Sequence, residues 1–201
     1  MKKCMYLLMA VAAIAFVSCK KDDGASKKGD DSGTKTEDAR ILEDFEDGGM
    51  LTWTGSNGCA FEVVDNPFKT GINTSAKVGK YTTAEAQWDF VWTTGFGITE
   101  TNEEFDFLNF SAKGYVIKID VYAPAAGIPV YCKLEGVDVE SKEITSVKTT
   151  KANAWETLEF DYETMGVVDG AYKNFVICAD AGGTTAGTVI YIDNVRQTKS
   201  E

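Results

Sequence analysis

The side chains with chemistry to offer are four tryptophans and a scatter of acids. Trp88, Phe90 and Trp92 recur at every second residue, with Asp89 and Val91 between them. In a strand that spacing lines three flat rings along one face. A stripe of this kind more often packs in a core than forms a binding surface. Trp53 stands in Leu51-Thr52-Trp53-Thr54-Gly55-Ser56-Asn57-Gly58, which reads as a polar loop. A tryptophan there either caps a core or touches a ligand. Trp155 is out of phase with Leu158 and Phe160, so in a regular strand it faces away from their core. Rings left on a surface would stack on the flat apolar face of a ligand, while Asn57, Gln87 and Asp89 beside them would bind its polar edge.

Other chemistry is restricted by what is missing. The 201 residues contain no histidine. That excludes a Ser-His-Asp triad, a Cys-His dyad and any imidazole metal site. The balance of 20 Lys and Arg against 31 Asp and Glu gives a net charge of -11. Such a chain repels phosphate backbones, so nucleic acid is not an expected partner, and neutral or cationic ligands are preferred to polyanions. Three cysteines, Cys59, Cys132 and Cys178, lie beyond the first 20 residues. An odd number cannot close a disulfide framework, and Cys132 alternates with Val130 and Leu134 on an apolar face. Buried free thiols are the favoured reading, with one disulfide among the three as the alternative.

The elements that must position these residues begin after a leader. Lys2 and Lys3 precede an apolar run from Met5 to Val17, too short to span a bilayer comfortably. Phe16-Val17-Ser18-Cys19 resembles a bacterial lipobox, although leucine is commoner where Phe16 stands. The resemblance implies a signal peptide over 1–18 and a lipid on Cys19. Lys20-Lys21-Asp22-Asp23 resembles a surface-export signal of Gram-negative lipoproteins. Residues 20–40 are almost devoid of apolar side chains and read, with Cys19, as a disordered tether over 19–40. The folded domain is expected over 41–198.

Within that domain short β-branched and aromatic runs recur between turn signals. Residues 115–122 alternate cleanly, with Ile117, Ile119 and Val121 on one face and Lys118 and Asp120 on the other. Further strands are expected over 40–45, 60–64, 76–81, 87–93, 130–134, 145–150, 157–162, 174–179 and 188–195. At most short helical turns fit 101–108 and 162–165. Roughly ten short strands and no sustained helical period predict an all-β fold, an antiparallel β-sandwich.

Four segments carry a resemblance that spans the domain. They are Phe45-Glu46-Asp47-Gly48 followed by Trp53, Asn66 to Val78, Trp155 to Tyr162, and Tyr191-Ile192-Asp193-Asn194-Val195. Together they resemble the galactose-binding-like jelly-roll class of carbohydrate-binding modules. The resemblance implies that Trp53, Trp88 and Trp92 stack on sugar rings and that Asn57, Gln87 and Asp89 take the hydroxyls. It also implies a structural calcium between the opening and closing strands, held by Glu46 and Asp193. The context it implies is an outer-membrane, cell-surface lipoprotein that binds polysaccharide, with beta-glucan as the expected ligand, beside a glycan importer and hydrolases.

Two rivals belong beside it. Laminarinase-type hydrolases, also jelly rolls, carry Glu-x-Asp-x-x-Glu on one strand. Glu104-Phe105-Asp106-Phe107-Leu108-Asn109 approaches that pattern but has Asn109 where the general acid should stand. Asp161 and Glu163 form another acid pair without further support. A non-enzyme is therefore expected. A protein-binding or adhesive sandwich is the third class.

Overall fold

The computed structural model describes residues 39–46, 51–94, 108–136 and 138–200. These lie in one compact unit, Lys35–Glu201. The expected signal peptide, Cys19 and the tether up to residue 38 fall outside the described residues, as do Glu104 and Asp106.

The described chain forms two antiparallel sheets packed as a jelly-roll sandwich. The first runs β3 (Ala60–Asp65), β4 (Lys77–Thr82), β11 (Val189–Thr198), β6 (Val116–Ala123) and β9 (Ala154–Asp161), with β1 (Arg40–Glu43) also paired to β11. The second runs β2 (Thr52–Ser56), β5 (Phe90–Thr94), β10 (Tyr172–Ala179), β7 (Val130–Gly136) and β8 (Lys142–Ile144). A four-residue helix, α1 (Phe110–Lys113), precedes β6.

Alternation sets the core. On β6, Ile117, Ile119 and Val121 are sealed inside, and the register places Ile117 opposite Phe160 and Ile119 opposite Leu158. Val130, Cys132 and Leu134 on β7 and Phe175, Ile177 and Ala179 on β10 close the core from the other sheet. A one-residue slip in any of these strands would turn its apolar set to water, so register is firmly specified.

Three local departures from the sequence reading have plain causes. The stretch around Trp53 is a strand, because Thr52 to Ser56 pair residue by residue with Thr94 to Phe90 of β5. The strand expected over 145–150 forms earlier, at Lys142–Ile144, and only a single bridge joins Lys148 to Pro129. Strand β9 starts at Ala154 rather than Thr157, because Ala154 and Trp155 pair with Ala123 and Tyr122.

The outer face of the first sheet is covered as well. Phe68, from the segment between β3 and β4, lies flat on Tyr122 with ring centroids 4.1 Å apart and planes 5° apart. Trp155 Nε1 donates to the Phe68 carbonyl at 2.7 Å. Trp155 does point away from Leu158 and Phe160, but this segment buries it with Val78 and Tyr122 in a second, smaller apolar cluster.

Candidate ligand-binding groove

On the outer face of the second sheet the alternation leaves a row of aromatic and charged side chains. Phe90 and Trp92 of β5 point outward, while Val91 and Thr93 go to the core. On β7, Tyr131, Lys133 and Glu135 are outward, between the buried Val130, Cys132 and Leu134. Register then sets Cys178 beside Tyr131 and Val176 between Lys133 and Trp92, and places Glu143 of β8 opposite Lys133. A shallow groove of about 200 Å3 results, with Trp88, Tyr131 and Phe90 toward one end and Lys133, Glu135 and Glu143 toward the other. It is too small to enclose a ligand and suits one that lies along a surface.

Trp88 is the prominent group. It is 51% exposed, and its ring lies 6.0 Å from that of Tyr131 with the planes 43° apart. Its backbone is held from two sides. Asn57 Nδ2 donates to the Trp88 carbonyl at 2.6 Å, and Gly182 N donates to the Gln87 carbonyl at 3.1 Å. Asp89 closes the loop from within. Its carboxylate accepts from the Tyr81 hydroxyl at 2.9 Å and from Ala84 N at 2.5 Å.

These contacts revise most of the site expected from sequence. Asp89 is buried and shapes the loop, so it cannot meet ligand hydroxyls. Asn57 is exposed, but its amide is engaged by the Trp88 carbonyl, which makes it a support for Trp88. Gln87 is exposed and does not line the groove. Trp53 is half-buried and structural. Its Nε1 donates to Glu43 Oε2 at 3.2 Å, and its ring stacks on Phe61 at 5.1 Å and meets Phe175 edge-on. Trp92 is half-buried on the groove's sheet face, next to Val176, and is not among the lining residues. Trp88 alone of the expected set lines the groove. Tyr131, Lys133, Glu135 and Glu143 were not anticipated. The signal for the first three was present, since they alternate out of phase with the apolar set of β7.

The expected calcium ligands are otherwise employed. Glu46 Oε1 accepts from Ala76 N at 2.7 Å and Lys77 N at 3.0 Å. Asp193 is fully buried, and accepts from Asn73 Nδ2 at 2.6 Å and from Asn194 N at 2.8 Å. Burial raises the Asp193 carboxyl above its ordinary range, against the pull of these and neighbouring donors. Both carboxylates grip the segment that carries Phe68. Among the described residues no group of three or more His, Cys, Asp or Glu could hold a metal ion. Among the described residues the structure thus gathers no calcium shell around Glu46 and Asp193.

The rival acid pairs are also accounted for where they are described. Asn109 caps α1, its side chain accepting from Ala112 N at 3.0 Å. Asp161 Oδ1 accepts from Glu163 N at 2.9 Å and shapes the turn after β9. The cysteines Cys59, Cys132 and Cys178 are all free, with Cys59 only half-buried. Cys178, at the groove floor, donates to the Asp89 carbonyl at 2.8 Å, and burial pushes its thiol up to about 12. It therefore stays protonated near neutral pH and is a poor nucleophile.

No protein-family model matches the chain, and no curated protein sequence does. Solved structures do. One is the family 11 carbohydrate-binding module from Clostridium thermocellum, in complex with a beta-1,3-1,4-mixed-linked tetrasaccharide. It is similar at 12% identity and a TM-score of 0.51, over 81% of this chain and 96% of that one. Another comprises the CBM22-1 and GH10 modules of the Clostridium thermocellum endo-1,4-beta-D-xylanase 10B, complexed with xylohexaose. It is similar at 13% identity and a TM-score of 0.50, over 80% of this chain and 28% of that one. The fold of this chain is thus the jelly roll found in carbohydrate-binding modules.

Proposed function

We propose that this protein is a non-catalytic glycan-binding module that holds polysaccharide on the outer face of its second sheet. The observation that carries the reading is Trp88, half exposed beside Tyr131 on a groove whose far end is polar. Pyranose rings present flat C–H faces that stack on indole and phenol rings, and their hydroxyls can accept charge-assisted hydrogen bonds from Lys133 and donate them to Glu135. A groove open along its length suits a chain, and a rigid sheet preorganises the contacts. Beta-glucan is the proposed ligand, and the mixed-linked tetrasaccharide held by a module of the same fold supports that choice. The tail completes the proposal. A lipid on Cys19 and the polar tether would hold the module at the outer face of the outer membrane, where it would pass polysaccharide to importers and hydrolases.

Calorimetric titration with soluble mixed-linked beta-glucan tests the groove. The wild type should bind without shortening the polymer. Trp88→Ala should lose roughly 1–3 kcal/mol of binding with an unchanged melting temperature. Equal binding by both proteins would place the site elsewhere. Silence across a panel of neutral glucans, xylans and galactans would end the reading.

A further inference from the structure

We infer that the groove takes uncharged polysaccharide and that Glu135 and Glu143 exclude acidic chains; the inference rests on the glycan-binding reading above. Three charged side chains line the groove, Lys133, Glu135 and Glu143. Lys133 Nζ lies 2.6 Å from Glu135 Oε1, two residues along the same face of β7. Glu143 stands opposite Lys133 across the β7–β8 ladder. The single ammonium is thus already matched by a carboxylate in its own strand, and a second carboxylate faces it. The lining carries one negative charge in excess, on a chain whose net charge is -11.

This arrangement separates hydroxyls from carboxylates. A sugar hydroxyl can donate to either glutamate and accept from Lys133, so a neutral chain finds partners of both kinds. A uronate brings its own anion against Glu135 and Glu143. The cation that would have to compensate is held by Glu135, so the repulsion is not offset. Exposed charges at this distance are screened by salt, so the exclusion should weaken as ionic strength rises.

The experiment compares neutral glucans, xylans and galactans with polygalacturonate and alginate by affinity electrophoresis and calorimetry. Wild type, Glu143→Lys and Glu135→Gln are each measured at low and high salt. Glu143 is exposed, so its replacement should leave the fold intact, which the melting temperature checks. The wild type should bind at least one neutral polymer and hold the polyuronates roughly tenfold or more weaker. Salt should leave the neutral affinity unchanged and raise the uronate affinity. Glu143→Lys should narrow the preference roughly tenfold at low salt, and Glu135→Gln, which frees Lys133, should narrow it less. Polyuronate binding by the wild type as tight as neutral binding overturns the inference while leaving the glycan reading standing. So does an unchanged preference in Glu143→Lys. Failure of the wild type to bind any polymer overturns the glycan reading and this inference together.

Discussion

Trp53 of β2 and Trp88, in the turn that leads into β5, have opposite jobs. Trp53 spans the end of the core, its indole N–H given to the buried Glu43 and its ring packed among Phe45, Phe61 and Phe175. Trp88 leaves about half of its surface to solvent, sets its ring against Tyr131 and gives its carbonyl to Asn57. Truncation should separate them. Trp53→Ala should cost roughly 2–4 kcal/mol of stability, because it opens a cavity and leaves Glu43 with one donor fewer, whereas Trp88→Ala should affect binding alone. Urea unfolding of the two variants beside the wild type makes the comparison. A small stability loss in Trp53→Ala together with weakened glycan binding would return Trp53 to the site. Glu43 explains why the difference was hidden in the sequence. An acid ten residues from a tryptophan reads as a surface charge until the bulged pairing of β1 with β11 carries it inside. Asp89 misleads in the same way, since its role depends on Tyr81 and Ala84, which only the closed loop brings to it.

The segment from Asn66 to Ala76 is an element without regular structure that still behaves as part of the fold. It seals Tyr122 and Trp155, and its fastenings are Asn66 to Asn73, Asn73 to Asp193, and Glu46 to the backbone at Ala76 and Lys77. Asp193 gives this fastening a pH dependence. Its folded carboxyl titrates above the unfolded value of about 3.9, so its stabilising contribution is complete in acid and is lost as pH rises through the folded value. The stability of the wild type relative to Asp193→Asn should therefore be greatest at low pH and decline toward neutrality. A difference that grows with pH would refute the assignment. The strands themselves were readable, because β6 and β7 alternate apolar with polar residues and β10 ends in a continuous apolar run from Phe175 to Ala179. Strand β2 was not, since Thr, Gly and Ser become a strand only through pairing with β5. The groove was half readable. Each outward residue of β7 is visible in its strand, but the alignment of Tyr131, Lys133 and Glu143 with Trp88 is a product of register across β5, β10, β7 and β8.

At the scale of the molecule the two sheets divide the labour. The first is covered on both faces in the region under Phe68 and is tied there by carboxylates that could otherwise have served a cation. Treatment with EDTA should accordingly leave the melting temperature unchanged, as scanning calorimetry can establish. A fall of several degrees would mean that a metal binds after all. The second sheet keeps one face open. The described chain enters along β1 and leaves along β11, whose ends lie side by side where Arg40 meets Gln197, and both belong to the first sheet. Both ends of the described chain therefore belong to the layer opposite the one that carries the groove. Force applied at the two ends of the described chain would be borne by the layer opposite the groove, where β1 and β11 are paired.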